Sequence, residues 1–143
     1  MYTIIVIASR GEIYDKLIMN WINIINYVNK NYSHVKIYLI FGKNSNTDIV
    51  DDISDNILIT EYDETVYPGI IQKTMFTLKE LKNNFDFIIR TNLSSYVSIK
   101  NIDKYISNLD DDIKNKLVLS YPRYIDLKWP FTNKELLNEI NNF

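Results

Sequence analysis

The run Phe85-Asp86-Phe87-Ile88-Ile89-Arg90-Thr91 passes directly into Asn92-Leu93-Ser94-Ser95, and a helical pattern begins a few residues later. Two consecutive isoleucines in a short apolar run describe a strand buried on both faces, as inside a parallel sheet. Asn and Ser then favour a turn, because their side chains hydrogen-bond nearby backbone. In open α/β sheets ligands sit at the carboxyl ends of strands, so this turn is the first place to look for chemistry. The plain alternative is a strand–loop–helix join that binds nothing.

The rest of the chain repeats the same unit. Residues 2–8 read as a buried strand. Ile13, Leu17, Trp21, Ile24/Ile25 and Val28 then share one face of a helix. A second strand is predicted over 35–41, a short helical turn within 47–54, and a third strand over 57–60. A helix over 68–83 follows, its buried stripe made by Ile71, Met75, Leu78 and Leu81/Lys82, with Pro68 in the first turn, where proline is tolerated. After the strand at 85–91, expected to be central with neighbours on both sides, Ile99, Ile102, Ile106 and Leu109 mark another helix face. Residues 117–120 read as a fifth strand, 121–131 as an ordered aromatic loop or edge strand, and 133–143 as a last helix capped by Thr132. This alternation predicts an α/β fold: a three-layer, Rossmann-like, mainly parallel sheet with helices on both faces. At 143 residues, with no repeat or linker, one domain over 1–143 is expected.

Composition removes several function classes. The formal net charge is −2 with no basic block, so a nucleic-acid partner is not expected. There is no cysteine, which excludes disulfides and thiolate metal sites built within this chain and fits a reducing compartment. His34 is the only histidine, a poor basis for a triad or a zinc centre. The first eight residues lack a basic leader, and their apolar run is too short for a signal peptide or membrane span. The expected location is therefore cytoplasmic.

Four places hold candidate chemistry. Ser9-Arg10-Gly11-Glu12 follows the first strand and precedes a helix, a position where free backbone N–H groups attract anions. A plain turn capped by Ser9 is the alternative, and the G-x-G-x-x-G fingerprint is missing. Glu61-Tyr62-Asp63-Glu64-Thr65 carries carboxylates near a strand end; acid–base work is conceivable there, but acidic residues ahead of a helix ordinarily favour its N-terminus. Lys73 falls off its helix's apolar stripe, to reach a diphosphate or lie in solvent. Asp48, Asp51 and Asp52 read as a solvated face, and Asp110-Asp111-Asp112 as a hydrophilic turn, neither having the pattern of a calcium loop.

The run Asp86-Phe87-Ile88-Ile89-Arg90-Thr91-Asn92-Leu93-Ser94-Ser95-Tyr96-Val97-Ser98 resembles the central strand and metal-binding loop of GT-A glycosyltransferases, particularly the galactosyltransferase-like β-1,3 group, which carry D-F-[LIV]-[LIV]-[KR]-x-D-D-D-x-[FY]-[VF]-N there. Tyr67 with Gln72-Lys73-Thr74 is similar to that group's D-S-Y-x-N-L-x-x-K-T helix. The resemblance covers about residues 61–106 and implies the N-terminal part of a GT-A fold that binds a nucleotide sugar, typically a UDP-sugar. It makes Ala8, Ser9 and Arg10 candidates for the base and ribose, and Asn92 and Ser94 candidates for the diphosphate, whose charge Lys73, Arg90 or Arg10 would compensate. The acidic triplet of the family reads Asn92-Leu93-Ser94 here, which offers no charged oxygen to a hard cation. No cofactor is therefore expected beyond the donor sugar nucleotide, and any transfer would be independent of a divalent metal. Family members continue well past this length, so Trp129, Phe131 and Leu137 are expected either to fold back over the sheet or to pack against a second copy or a partner chain covering the C-terminal part. Two other readings remain open: a non-catalytic, degenerate glycosyltransferase module serving in binding or assembly, and an unrelated flavodoxin-like nucleotide-binding domain.

Overall fold

Tyr2–Ile7 forms strand β1, and all six of its residues are buried. A strand apolar on both alternations has no solvent face, so it must lie inside a sheet covered on both sides. Parallel to it on one side runs β2, Val35–Phe41, and on the other β4, Phe87–Asn92; β3, Ile57–Ile59, extends the sheet beyond β2. The order is β3-β2-β1-β4, with every pair parallel. The computed structural model describes residues 1–109; Met1–Ser95 form one compact unit, and the described residues from Tyr96 onward belong to a second. The expectations for the aspartate run at 110–112, the strand at 117–120, the aromatic segment and the last helix lie outside the described residues.

The chain winds both ways from β1. Helix α1, Glu12–Asn31, carries it from β1 out to β2, and a 3-10 helix, Asp48–Asn56, carries it on to β3. Helix α2, Gly69–Leu81, brings it back across the sheet to β4 on the far side of β1. Right-handed crossovers in opposite directions put α1 and α2 on opposite faces. The α2 face holds Ile5, Ile7, Ile40 and Leu81, with Tyr38, Leu58, Ile70, Leu78, Phe85 and Ile88 packed around them. Ile4, Val6, Ile37 and Leu39 alternate to the other face, where α1 buries Ile18, Trp21, Ile22, Ile25 and Val28. This is the doubly wound α/β architecture that the alternation predicts. The order also sets aside the flavodoxin-like arrangement, whose third strand lies beside the first.

β4 pairs with β1 on one side and has no strand on the other among the described residues, so the expectation of neighbours on both sides falls on residues outside them; Arg90 and Asn92 are exposed along it. Two isoleucines in a row established apolar cover over β4 but said nothing about which edge would be paired. Two expectations need correction. Ile13 is 75% exposed, and the buried stripe of α1 begins at Ile18. On α2 the buried positions are Gly69, Lys73, Thr77 and Leu81, one every turn; Leu81 is buried as expected with Leu78 packed beside it, but Ile71 and Met75 are only half-buried. The reason is polar: Thr77 donates its hydroxyl to the Lys73 carbonyl at 2.8 Å, and the Lys73 ammonium finds acceptors at the strand ends, in the Ala8 carbonyl and the Glu64 carboxylate.

In the second unit, α3, Ile99–Ser107, starts from Ser98, whose Oγ accepts a 3.4 Å hydrogen bond from the Asn101 amide. Among the described residues no helix is long and apolar enough to cross a membrane.

Candidate functional site at the carboxyl ends of the strands

Ile7, the last residue of β1, lies opposite Asn92, the last residue of β4. The segments that follow therefore leave the sheet side by side: Ala8-Ser9-Arg10 from β1 and Leu93-Ser94 from β4. Between β1 and β4 the winding reverses, and in doubly wound sheets the crevice outside such a reversal is the usual ligand site. The two candidate loops, 82 residues apart if counted from Arg10 to Asn92, are thus neighbours by register alone.

Each loop is held differently. Leu93 is buried, and its carbonyl accepts a 2.9 Å hydrogen bond from the Trp21 indole of α1. Asn92 and Ser94, on either side of it, are exposed. A buried leucine between two exposed polar residues is an anchor that presents both of them to solvent. Ala8 is fully buried, its amide donating to the Ile40 carbonyl at 2.9 Å and its carbonyl accepting from Lys73 Nζ at 2.8 Å. Both backbone groups of Ala8 serve the scaffold, so a ligand at this turn would meet Ser9 and Arg10.

Arg10 is already clamped. Its Nε and Nη2 bond the two carboxylate oxygens of Asp15 at 2.7 and 3.1 Å, and Nη1 donates to the Asn46 carbonyl. The hydrogen bond to Asp15 raises the Arg10 pKa against a desolvation that lowers it, and the same bond, with that from the Gly11 amide, holds Asp15 below the ordinary carboxylate value. Gly11 caps α1, with no side-chain cap; Ser9 does not cap this helix and instead donates to Glu64 Oε2 at 2.8 Å.

Glu64 is the residue that sequence reading underrated. Its Oε2 accepts from Ser9 Oγ and from Lys73 Nζ at 2.7 Å, and its Oε1 accepts from Ser45 Oγ at 2.8 Å and from the Gly42 amide. A carboxylate has about four lone-pair sites, and here each has a donor. Burial pushes the Glu64 pKa up, but the bonds from Lys73, Gly42, Ser9 and Ser45 outweigh it and leave it below the ordinary value. Lys73 has no exposed side-chain area, so it is neither a solvated lysine nor a bare cation. Nor do the acidic residues favour the start of α2, whose first turn holds none. The signal for this cluster was present as a lysine off the stripe nine residues after an acidic segment, but the glycine and the two serines that complete it come from elsewhere in the chain.

Arg90 is opposite Ile5, two residues or about 7 Å short of the rim along β4. Desolvation lowers its pKa, and it has no acidic partner among the described residues. No group of three or more His, Cys, Asp and Glu side chains is placed to hold a metal ion among the described residues.

Two glycines let the Glu64 segment come this close. A Cβ on Gly69 would lie 2.5 Å from the Asp63 carbonyl and 2.6 Å from Thr65 Oγ1; on Gly42 it would lie 2.7 Å from the Tyr62 carbonyl. Within a helix, alanine in place of glycine normally stabilises, by about 0.5–1 kcal/mol. Gly69→Ala is expected instead to destabilise by about 1–3 kcal/mol, the range for overpacking, read as a lower midpoint in urea. A variant as stable as the wild type would show that the segment is free to withdraw. Comparison with protein-family profiles, with curated proteins and with solved structures finds no match for this chain.

Proposed function

We propose that this chain is a glycosyltransferase-like domain that binds a nucleotide sugar, a UDP-sugar by the resemblance of its loops, in the crevice between the ends of β1 and β4. The observation that carries the reading is the pairing of Ile7 with Asn92 at the reversal of the winding, because it sets the Ser9–Arg10 turn beside Asn92 and Ser94. In this reading the turn after β1 receives the base and ribose, and Asn92, Ser94 and neighbouring backbone N–H groups meet the diphosphate. Neutral oxygens at 92 and 94 make binding independent of a divalent cation.

A specific observation favours binding without transfer. Of the three cations proposed for the diphosphate, Arg10 is paired with Asp15 and Lys73 with Glu64, which leaves Arg90. Neutralising a departing diphosphate takes more positive charge than that. The non-catalytic module is therefore the second reading, and release of sugar from a panel of UDP-sugars separates the two.

Calorimetry of UDP binding with and without manganese tests the site. The expected result is an affinity that manganese changes by less than tenfold, about 1.4 kcal/mol. Asn92→Asp with Ser94→Asp is expected to create a metal requirement. Strong tightening of the wild type by manganese would mean that carboxylates elsewhere hold an ion, and absence of UDP binding would remove the nucleotide reading.

A further inference from the structure

The four donors around Glu64 come from three separate parts of the fold. Ser9 follows β1, Gly42 and Ser45 follow β2, and Lys73 reaches up from inside α2. One full positive charge, two hydroxyls and a backbone amide converge on a volume filled by a single carboxylate. Convergent donors of this kind at strand ends are what binds oxyanions, and bonds to a charged acceptor strengthen with its charge. The ammonium is fully buried, so its position is set by the fold and does not depend on solvent.

The tenant is less firmly built than the cradle. Glu64 sits between two anchors, the Lys43 amide on the Tyr62 carbonyl at 2.7 Å and the Gly69 amide on Thr65 Oγ1 at 3.1 Å. The residues around it are exposed, Val66 by 76%. With the backbone anchored, the carboxylate can leave by rotation of its own side chain, so it competes as an intramolecular ligand at an effective concentration of about millimolar order. A phosphoryl group carries more charge and three oxygens to share among four donors.

We propose that Ser9, Gly42, Ser45 and Lys73 form a phosphoryl-binding cradle in which Glu64 is a tethered stand-in, displaced when the ligand arrives. The inference does not rest on the nucleotide-sugar reading: free phosphate and the diphosphate of a nucleotide present the same chemistry.

Glu64→Gln keeps the shape of the tenant and removes its charge. Calorimetry with inorganic phosphate, pyrophosphate, UDP and uridine is expected to show phosphate and pyrophosphate binding at least tenfold more tightly to Glu64→Gln than to the wild type, about 1.4 kcal/mol, with uridine unaffected. Adding Ser45→Ala to Glu64→Gln is expected to reverse most of that gain. Equal phosphate affinity in wild type and Glu64→Gln overturns the proposal, as does a gain that survives Ser45→Ala. A gain confined to UDP overturns it too, because the cradle would then need the nucleoside. If UDP binds no better than pyrophosphate while the gain persists, the cradle stands and the nucleotide reading falls. Should Glu64→Gln not fold, amide resonances of Gly42 and Ser45 in the wild type decide: they are expected to shift on phosphate titration, and their constancy overturns the proposal.

Discussion

Glu64→Ala is expected to cost about 3–5 kcal/mol of stability, the range for removing one partner of a buried ion pair, out of a total that for domains of this kind is about 5–15 kcal/mol. The loss is large because the Lys73 ammonium has no exposed area and would keep the Ala8 carbonyl as its acceptor, with no counter-charge. Lys73→Met is expected to cost less. It leaves the carboxylate 25% exposed, with Ser9, Gly42 and Ser45 still donating to it. The double variant should recover part of the Glu64→Ala loss, since the uncompensated charge is gone, and urea denaturation of the four proteins measures that coupling. Additive losses would show that the pair does not act as a unit. Acid gives an independent check. The folded-state pKa of Glu64 lies below its ordinary value of 4.5, so the stability it contributes is present above that value and lost as the pH falls through the lower folded value. The stability gap between wild type and Glu64→Gln should therefore be constant near neutrality and close on acidification below 4.5.

Trp21→Ala is the second large effect, expected at about 3–5 kcal/mol for loss of a buried tryptophan. Trp21 is 2% exposed, and its indole holds the Leu93 carbonyl between the two exposed residues of the β4 loop. Trp21→Phe separates the two roles: it keeps most of the apolar volume and gives up the hydrogen bond, at about 1 kcal/mol. In that variant the amide resonances of residues 92–95 should shift and broaden while the rest of the spectrum is kept. An unchanged loop in Trp21→Phe would mean that packing of Leu93 suffices to hold it.

Periodicity alone was enough to give this chain its class. Apolar runs at 2–8, 35–41, 57–60 and 85–91, separated by helical spacings, bury their side chains in one economical way, as a parallel sheet with helices on both faces. The turns at Ser9–Arg10 and Asn92–Ser94 were legible for the same reason, since strand ends and polar turn residues are local signals. What needed the tertiary structure was everything that depends on which strand lies beside which. Ile88 and Ile89 read as a buried strand, but its place beside β1 is decided by the return of the chain over α2 and not by apolarity. Lys73 looked surplus to its helix, and Glu64 looked like a helix-favouring acid. Their pairing joins residues nine apart to Ser9, 55 residues from Glu64, and to Ser45, 19 residues from it. A buried polar group is stable only when its partners are satisfied together, and those partners are brought together by the register of β1 with β2 and the approach allowed by Gly42 and Gly69, which no local pattern of residues records.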